Sequence, residues 1–250
     1  MAGSDGKVAV VLGASGDKNF GSESARRLAQ AGYRVVVGAR RLEPLQALAE
    51  DIGGLAVACD ITDESQVEAL FKQALDSYGR VDVALNSCGT HAHTPIADLT
   101  RDDITPTLEI SFIGALLFFK HAAAAMPDGG SVITVSSLTA RLPGKGYSVY
   151  SGARAGIDYA IKVAACEYAE QKVRFNSIAA GLIETDMTSD LLQMPGIVDA
   201  FTAQIPAGRM GTVEDLAEMV LWLADPERSG FVNGSVLDLS GGQHMGALPG

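Results

Sequence analysis

Val8-Ala9-Val10-Val11-Leu12-Gly13-Ala14-Ser15-Gly16-Asp17-Lys18-Asn19-Phe20-Gly21 is the stretch on which the fold turns. Its first five residues are apolar without alternation, which is how a strand reads when both of its faces are buried. Small residues and glycines then make a turn, and Ala25, Leu28 and Ala29 beyond it share one face of a helix. A strand, a glycine-rich turn and a helix in that order leave free backbone N–H groups at the helix start. Such groups attract an anion of the pyrophosphate kind, and glycine lets it approach the backbone closely.

Working outward, the same beat repeats to the far end of the chain. Arg34–Gly38, Leu55–Cys59, Val81–Asn86, Ser131–Ser136, Val173–Ile178 and Ser235–Leu239 read as further strands. Stretches near Gly21–Ala31, Leu42–Asp51, Glu64–Tyr78, Asp102–Met126, Ser148–Gln171 and Val213–Leu223 read as helices. Apolar strands alternating with helices predict a doubly wound α/β fold, a parallel sheet of about seven strands covered on both faces. With no linker or repeat in the pattern, residues 1–250 are expected to form a single domain. The rhythm breaks only at about 182–211, where Met187, Leu191, Leu192, Met194, Ile197 and Phe201 stand among polar residues, with Pro195 and Pro206 as breakers. An apolar excursion after a strand end is expected either to cover a substrate as a lid or to complete the core as a helical hairpin.

Composition narrows the partners. The 250 residues (26.0 kDa) are 47% hydrophobic and 20% charged, which excludes a disordered chain and a small disulfide scaffold. Nineteen Lys and Arg against thirty Asp and Glu leave a net charge of −11, which repels nucleic-acid backbones and anionic membranes. Cys59, Cys88 and Cys166 are an odd set without metal-ligand spacing, and they fit a reducing cytoplasm. No run approaches the ~20 consecutive apolar residues of a membrane span, and the N-terminus carries no basic-then-apolar leader. The expectation is a cytoplasmic protein with a small-molecule substrate and neither metal, nucleic acid nor membrane as partner.

The second strand ends in Gly38-Ala39-Arg40-Arg41. A site preferring NAD places a carboxylate here for the ribose hydroxyls. Ala39 removes it, and Arg40 is suited to a 2′-phosphate, so NADP(H) is the expected cofactor. With this in hand the chain resembles the short-chain dehydrogenase/reductase family, a Rossmann-like fold, and most closely its ketoreductase-like members. The resemblance rests on the Gly13–Gly21 turn, Asp60-Ile61, Asn86-Ser87-Cys88-Gly89, Ser137 with Tyr150 thirteen residues later, the run Gly181 to Met187, Gly208-Arg209-Met210-Gly211 and Gly241-Gly242. It implies cofactor contacts at Gly13, Ser15, Asn19, Phe20, Gly21, Asp60, Ile61, Asn86, Gly89, Ile183 and Thr185, beside Arg40.

Tyr150 and Arg154 lie four apart on one predicted helix face, and Ser137 follows the fifth strand, so the three can converge. A fixed cation beside a phenol favours the phenolate, which suits it to proton transfer. Ser137 would hold the substrate oxygen while Tyr150 exchanges its proton; by resemblance, a hydride passes to or from the nicotinamide. Three departures from the family stand out. Arg154 occupies the place of its lysine and effectively never deprotonates. Ser111 stands where the family has a relay Asn, and the phosphate turn is about two residues longer than usual, with Asn19 where the middle glycine falls. A Ser-Tyr-Arg set also resembles the cofactor-free halohydrin dehalogenases, in which reading Phe20 is their loop aromatic; Arg40, Asp60 and the small-residue turn oppose that. Loss of both relay residues would also suit a non-catalytic NADP(H)-binding protein, which Ser137 and Tyr150 oppose.

His91 and His93 follow the fourth strand on the expected substrate rim, where an ordinary loop role outweighs pocket lining. Thr139, Leu142, Tyr147 and the Met187–Phe201 segment predict a largely apolar pocket for a medium-sized carbonyl or alcohol. The Val213–Leu223 helix, the Ser235–Leu239 strand and the tail to Gly250 resemble surfaces through which the family forms dimers and tetramers, so a homo-oligomer is expected.

Overall fold

The computed structural model of the chain describes residues 6–90 and 93–245. His91 and the tail beyond Met245, two of the expectations above, lie outside them. Seven strands, β1 (Val8–Leu12), β2 (Arg34–Ala39), β3 (Leu55–Ala58), β4 (Val83–Asn86), β5 (Gly130–Ser137), β6 (Val173–Ala180) and β7 (Val236–Leu239), make one sheet. Its order is β3-β2-β1-β4-β5-β6-β7, and every pairing is parallel. This is the doubly wound Rossmann-like fold expected. The strands are buried on both faces because two separate layers cover them. On one side Leu12, Val36 and Phe175 pack with Leu70, Phe118 and Ile157; on the other Val11, Val37 and Ile178 pack with Leu28, Leu45 and Leu216.

The helices that supply those layers are α1 (Phe20–Gln30), α2 (Leu42–Ile52), α3 (Glu64–Tyr78), α4 (Arg101–Leu108), α5 (Gly114–Ala124), α6 (Ser148–Glu167) and α9 (Val213–Ala224); α7 (Ser189–Leu192), α8 (Ile197–Thr202) and α10 (Pro226–Ser229) are short. Strand order reverses between β1 and β4, so a crevice opens at the carboxyl ends of those strands. The loops after β1, β2, β4, β5 and β6 all meet at that edge.

One expectation needs correction. The helix read as continuous from Asp102 to Met126 runs as α4, a π-helical turn (Glu109–Ile113) and α5. Pro106 lacks the N–H for one helical bond and the wider turn follows it, carrying Ser111 inward to 1% exposure. By length and composition the whole stretch Arg101–Ala124 could cross a bilayer; here Phe118, Phe119, Ala122 and Ala123 pack into the sheet core. Of the excursion after β6, Ile183 joins one buried cluster and Ile205 is 4% exposed, while the described side chains of α7 and α8 sit outside both clusters, with Met187 and Met194 exposed. Leu216, Ala217, Val220 and Leu223 of α9 are wholly buried within the chain, as their core spacing predicts, while Met219, Leu221 and Trp222 of the same helix and all of β7 are half-buried. Exposed large apolar side chains include Ile113 and Leu116 before and on α5, Tyr159 and Val163 on α6, and Phe231 before β7.

Candidate active site

A cleft of about 690 Å³ lies at the carboxyl edge of the sheet. Gly13, Ser15, Asn19, Phe20, Arg40, Asp60, Ile61, Gly89, Tyr150, Arg154 and Thr185 all line it. Five of the expected residues are not among its lining. Gly21 packs α1 onto β1: a β-carbon there would meet the Gly13 carbonyl oxygen at 2.7 Å. Asn86, Ser111, Ser137 and Ile183 are buried at its margin.

The phosphate turn is built to keep its backbone open. Gly13 has φ +98°, and a β-carbon on it would stand 2.6 Å from Ser87 Oγ. Asn19 caps α1, its Oδ1 accepting from Ser22 N at 2.7 Å. Arg41, which sequence reasoning left aside, donates from Nη2 to the Ser15 carbonyl at 2.7 Å and ties the turn to the end of β2. The doubled arginine was the available signal. Arg40 beside it lines the cleft and is exposed. Asp60 holds its own loop, accepting from Thr62 N and Oγ1.

At the other end of the cleft, Arg154 is 5% exposed and spreads its bonds over two nitrogens of a planar fork, where the family's lysine has one. Nη1 donates to the Val135 carbonyl at 2.8 Å and Nη2 to the Cys88 carbonyl at 3.3 Å, so the guanidinium bridges the ends of β5 and β4. Its carbon lies 5.3 Å from the centroid of the Tyr150 ring. A β-carbon on Gly89 would overlap Arg154 Nη2, so the glycine makes room for the arginine. Tyr147 lies 6.4 Å from Tyr150 between ring centroids, and His93 packs edge-on against Tyr147 at 4.9 Å. His93 therefore does reach the aromatic rim beside Tyr150.

Ser137 Oγ accepts from Thr139 N at 3.2 Å and from Thr139 Oγ1 at 3.0 Å. With both lone pairs engaged, the Ser137 hydroxyl is left as a donor, the polarity that a carbonyl oxygen requires. Ser136, next to it, lines the cleft. Cys59 and Cys88 also line it, and burial pushes both thiols up to about 12, so they serve as packing rather than as nucleophiles. Several buried polar atoms around the cleft have no hydrogen-bond partner among the described residues: Asn86 Nδ2, Arg154 Nε and Ser111 Oγ. Buried groups of this kind are normally satisfied. A polar ligand with hydroxyl and amide groups fits the set, whereas an apolar one would leave it stranded. Among the described residues no group of His, Cys, Asp and Glu could hold a metal ion.

A parallel sheet with its glycine-rich turn, arginines and tyrosine on one cleft defines a dinucleotide-binding oxidoreductase. A family model described as Enoyl-(Acyl carrier protein) reductase matches residues 13–244, and the chain belongs to this short-chain dehydrogenase/reductase family, on its ketoreductase-like side. It is 34% identical over 242 residues to "Carbonyl reductase family member 4" of Xenopus laevis, covering 96% of this chain and 98% of that one. It is 33% identical over 243 residues to "3-oxoacyl-[acyl-carrier-protein] reductase" of Bos taurus, with the same coverage. Among solved structures, a short-chain type dehydrogenase/reductase from Mycobacterium marinum superposes with a TM-score of 0.88 at 30% identity, covering 96% of both chains. Oxidoreductases of this family use a nicotinamide cofactor.

Proposed function

We propose that the protein is an NADP(H)-dependent oxidoreductase that interconverts a carbonyl and an alcohol on a medium-sized, largely apolar substrate. The observation that carries the reading is the Arg154 guanidinium fixed over the Tyr150 ring in the cleft that also takes in Arg40. Arg40 and the open N–H groups of the phosphate turn would hold the two phosphate-bearing parts of the dinucleotide, and Asp60, Asn86, Ile183 and Thr185 its remaining groups. When bound, the cofactor supplies or takes up the hydride. Tyr150 gives the proton to the substrate oxygen in reduction and removes it in oxidation. The Ser137 hydroxyl donates to that oxygen and orients it. Arg154 supplies a permanent positive charge beside the phenol, and its Nε, buried without a partner among the described residues, would gain one from a polar group of the bound cofactor. Proton resupply cannot run through ionisation of Arg154; the buried Ser111 hydroxyl, on a turn packed against α6, is the alternative carrier.

The test titrates the full-length protein with NADPH and NADH by fluorescence, then follows NADPH loss with a panel of ketones and 3-oxoacyl thioesters, the substrate type in the name of the bovine relative. NADPH should bind tighter, and Arg40→Ala should cost roughly 10- to 100-fold in NADPH affinity while sparing NADH. Equal loss for both dinucleotides would remove the NADP assignment. Halide release from a haloalcohol by a protein that ignores both dinucleotides would replace the redox reading by dehalogenation. We further propose a cytoplasmic homo-oligomer, dimer or tetramer, assembled through the exposed Ile113, Leu116, Tyr159, Val163 and Phe231.

A further inference from the structure

The lengthened phosphate turn does more than line the cleft. Lys18 N donates to both carboxylate oxygens of Asp186, at 3.3 and 3.1 Å, and Asp186 N donates back to the Lys18 carbonyl at 2.9 Å. Lys18 Nζ pairs with Glu184 at 2.8 Å. Gly16 keeps the passage clear, since a β-carbon on it would lie 2.5 Å from Asp186 Oδ2. These bonds join the loop after β1 to the loop after β6, two strands that are not neighbours. β4 and β5 lie between them, so the link crosses three strand spacings, about 14 Å, over the carboxyl edge where Asn86–Gly89 and Ser137 sit.

The flanking residues show where the link lies relative to the cleft. Ser15 and Asn19 before and after it on one loop, and Thr185 and Met187 on the other, line the cleft; Lys18, Glu184 and Asp186 do not. The link therefore ties together the two loops whose neighbouring residues line the cleft between Arg40 and Tyr150.

We propose that Lys18, Glu184 and Asp186 form a clasp that sets how fast the dinucleotide leaves the cleft, a role that rests on the cofactor reading above. Asp186 carries most of it, because its carboxylate accepts the Lys18 N–H with both oxygens and its own N–H donates back to the Lys18 carbonyl. The Lys18–Glu184 pair is exposed on both sides and contributes less, in a salt-dependent way.

The experiment is stopped-flow displacement of NADPH from the full-length protein by excess NADP⁺, read by NADPH fluorescence, with thermal melting to check that each variant is folded. Asp186→Ala should release NADPH about tenfold faster than wild type, with a smaller change in the association rate. The double variant Lys18→Ala/Glu184→Gln, which leaves the backbone bonds in place, should release it a few-fold faster at low salt and at the wild-type rate at high salt. It carries the test if Asp186→Ala fails to fold. Folded variants that release NADPH within twofold of wild type overturn the clasp and leave the cofactor reading standing. A wild-type protein that holds neither NADPH nor NADH overturns both.

Discussion

At residue scale the site is organised by a buried arginine. Tyr150→Phe should abolish turnover while leaving NADPH affinity within about twofold, because the hydroxyl acts on the substrate oxygen and not on the nucleotide phosphates. Arg154→Lys removes the guanidinium fork that bridges β4 and β5. It should cost stability, on the order of 1–3 kcal/mol in chemical unfolding, and its hydride-transfer rate decides whether the guanidinium or an ionisable amine serves the reaction better. Gly89→Ala should lower turnover and melting temperature together by forcing Arg154 off its carbonyls. Applied to Arg154→Lys as background, the same change should be far milder. Iodoacetamide at mildly alkaline pH should label Cys166, which is exposed, and leave Cys59 and Cys88 unmodified, as peptide mass spectrometry would show. Arg40 was legible from its place at the end of β2 and Arg154 from its helical spacing to Tyr150, while Tyr150 and Asp60 came from the family resemblance; all four line the cleft. Arg41, Ser136 and the cysteines were not legible, because their part in the cleft depends on packing between strands distant in sequence.

At the scale of elements, strands were the easiest to read, since burial on both faces leaves unbroken apolar runs. Their predicted ends fell within a few residues of the observed ones, and α3 matched at both ends, where Asp63 caps it and Gly79 stops it in the left-handed conformation. The π turn before α5 escaped notice because it leaves the hydrophobic period almost intact; Pro106 was its only mark. The clasp escaped for a different reason. A turn two residues longer than the family's shows in the sequence as a departure, yet its partner lies 168 residues away. Asn19 belongs to this scale, because it joins α1 to the phosphate turn. Asn19→Ala should cost about 1 kcal/mol in urea unfolding, from loss of the helix cap, and should also loosen NADPH.

At the scale of the whole molecule, the −11 charge and a buried carboxylate act in the same direction with pH, both weighing more heavily as pH rises above the isoelectric point near 4.7. Asp158 sits in the core under β6, hydrogen-bonded to Ser177 Oγ at 2.8 Å, and burial holds its carboxyl above the usual carboxylate range despite that bond. The folded state thus binds its proton more tightly than the unfolded chain. Asp158 is most favourable below the unfolded carboxylate range and becomes a cost as pH rises through the folded value. Asp158→Asn should raise the melting temperature at pH 7, with the gain shrinking in acid; a gain that stays the same at every pH would remove the ionisation argument. Light scattering should give a mass of at least twice 26.0 kDa, and charging the exposed helix face with Leu116→Glu and Tyr159→Glu should reduce it to one chain. Among the described residues of 184–212 none joins a buried core cluster, and of these Ile205 alone among the large apolar side chains is buried, although Met187 lines the cleft. The piece from Met187 to Gln204 is therefore an exchangeable cassette. Grafting the equivalent piece from a relative should redirect substrate preference while the chimaera keeps its melting temperature and its hold on the nucleotide, so new specificities can be bred on this scaffold without rebuilding it.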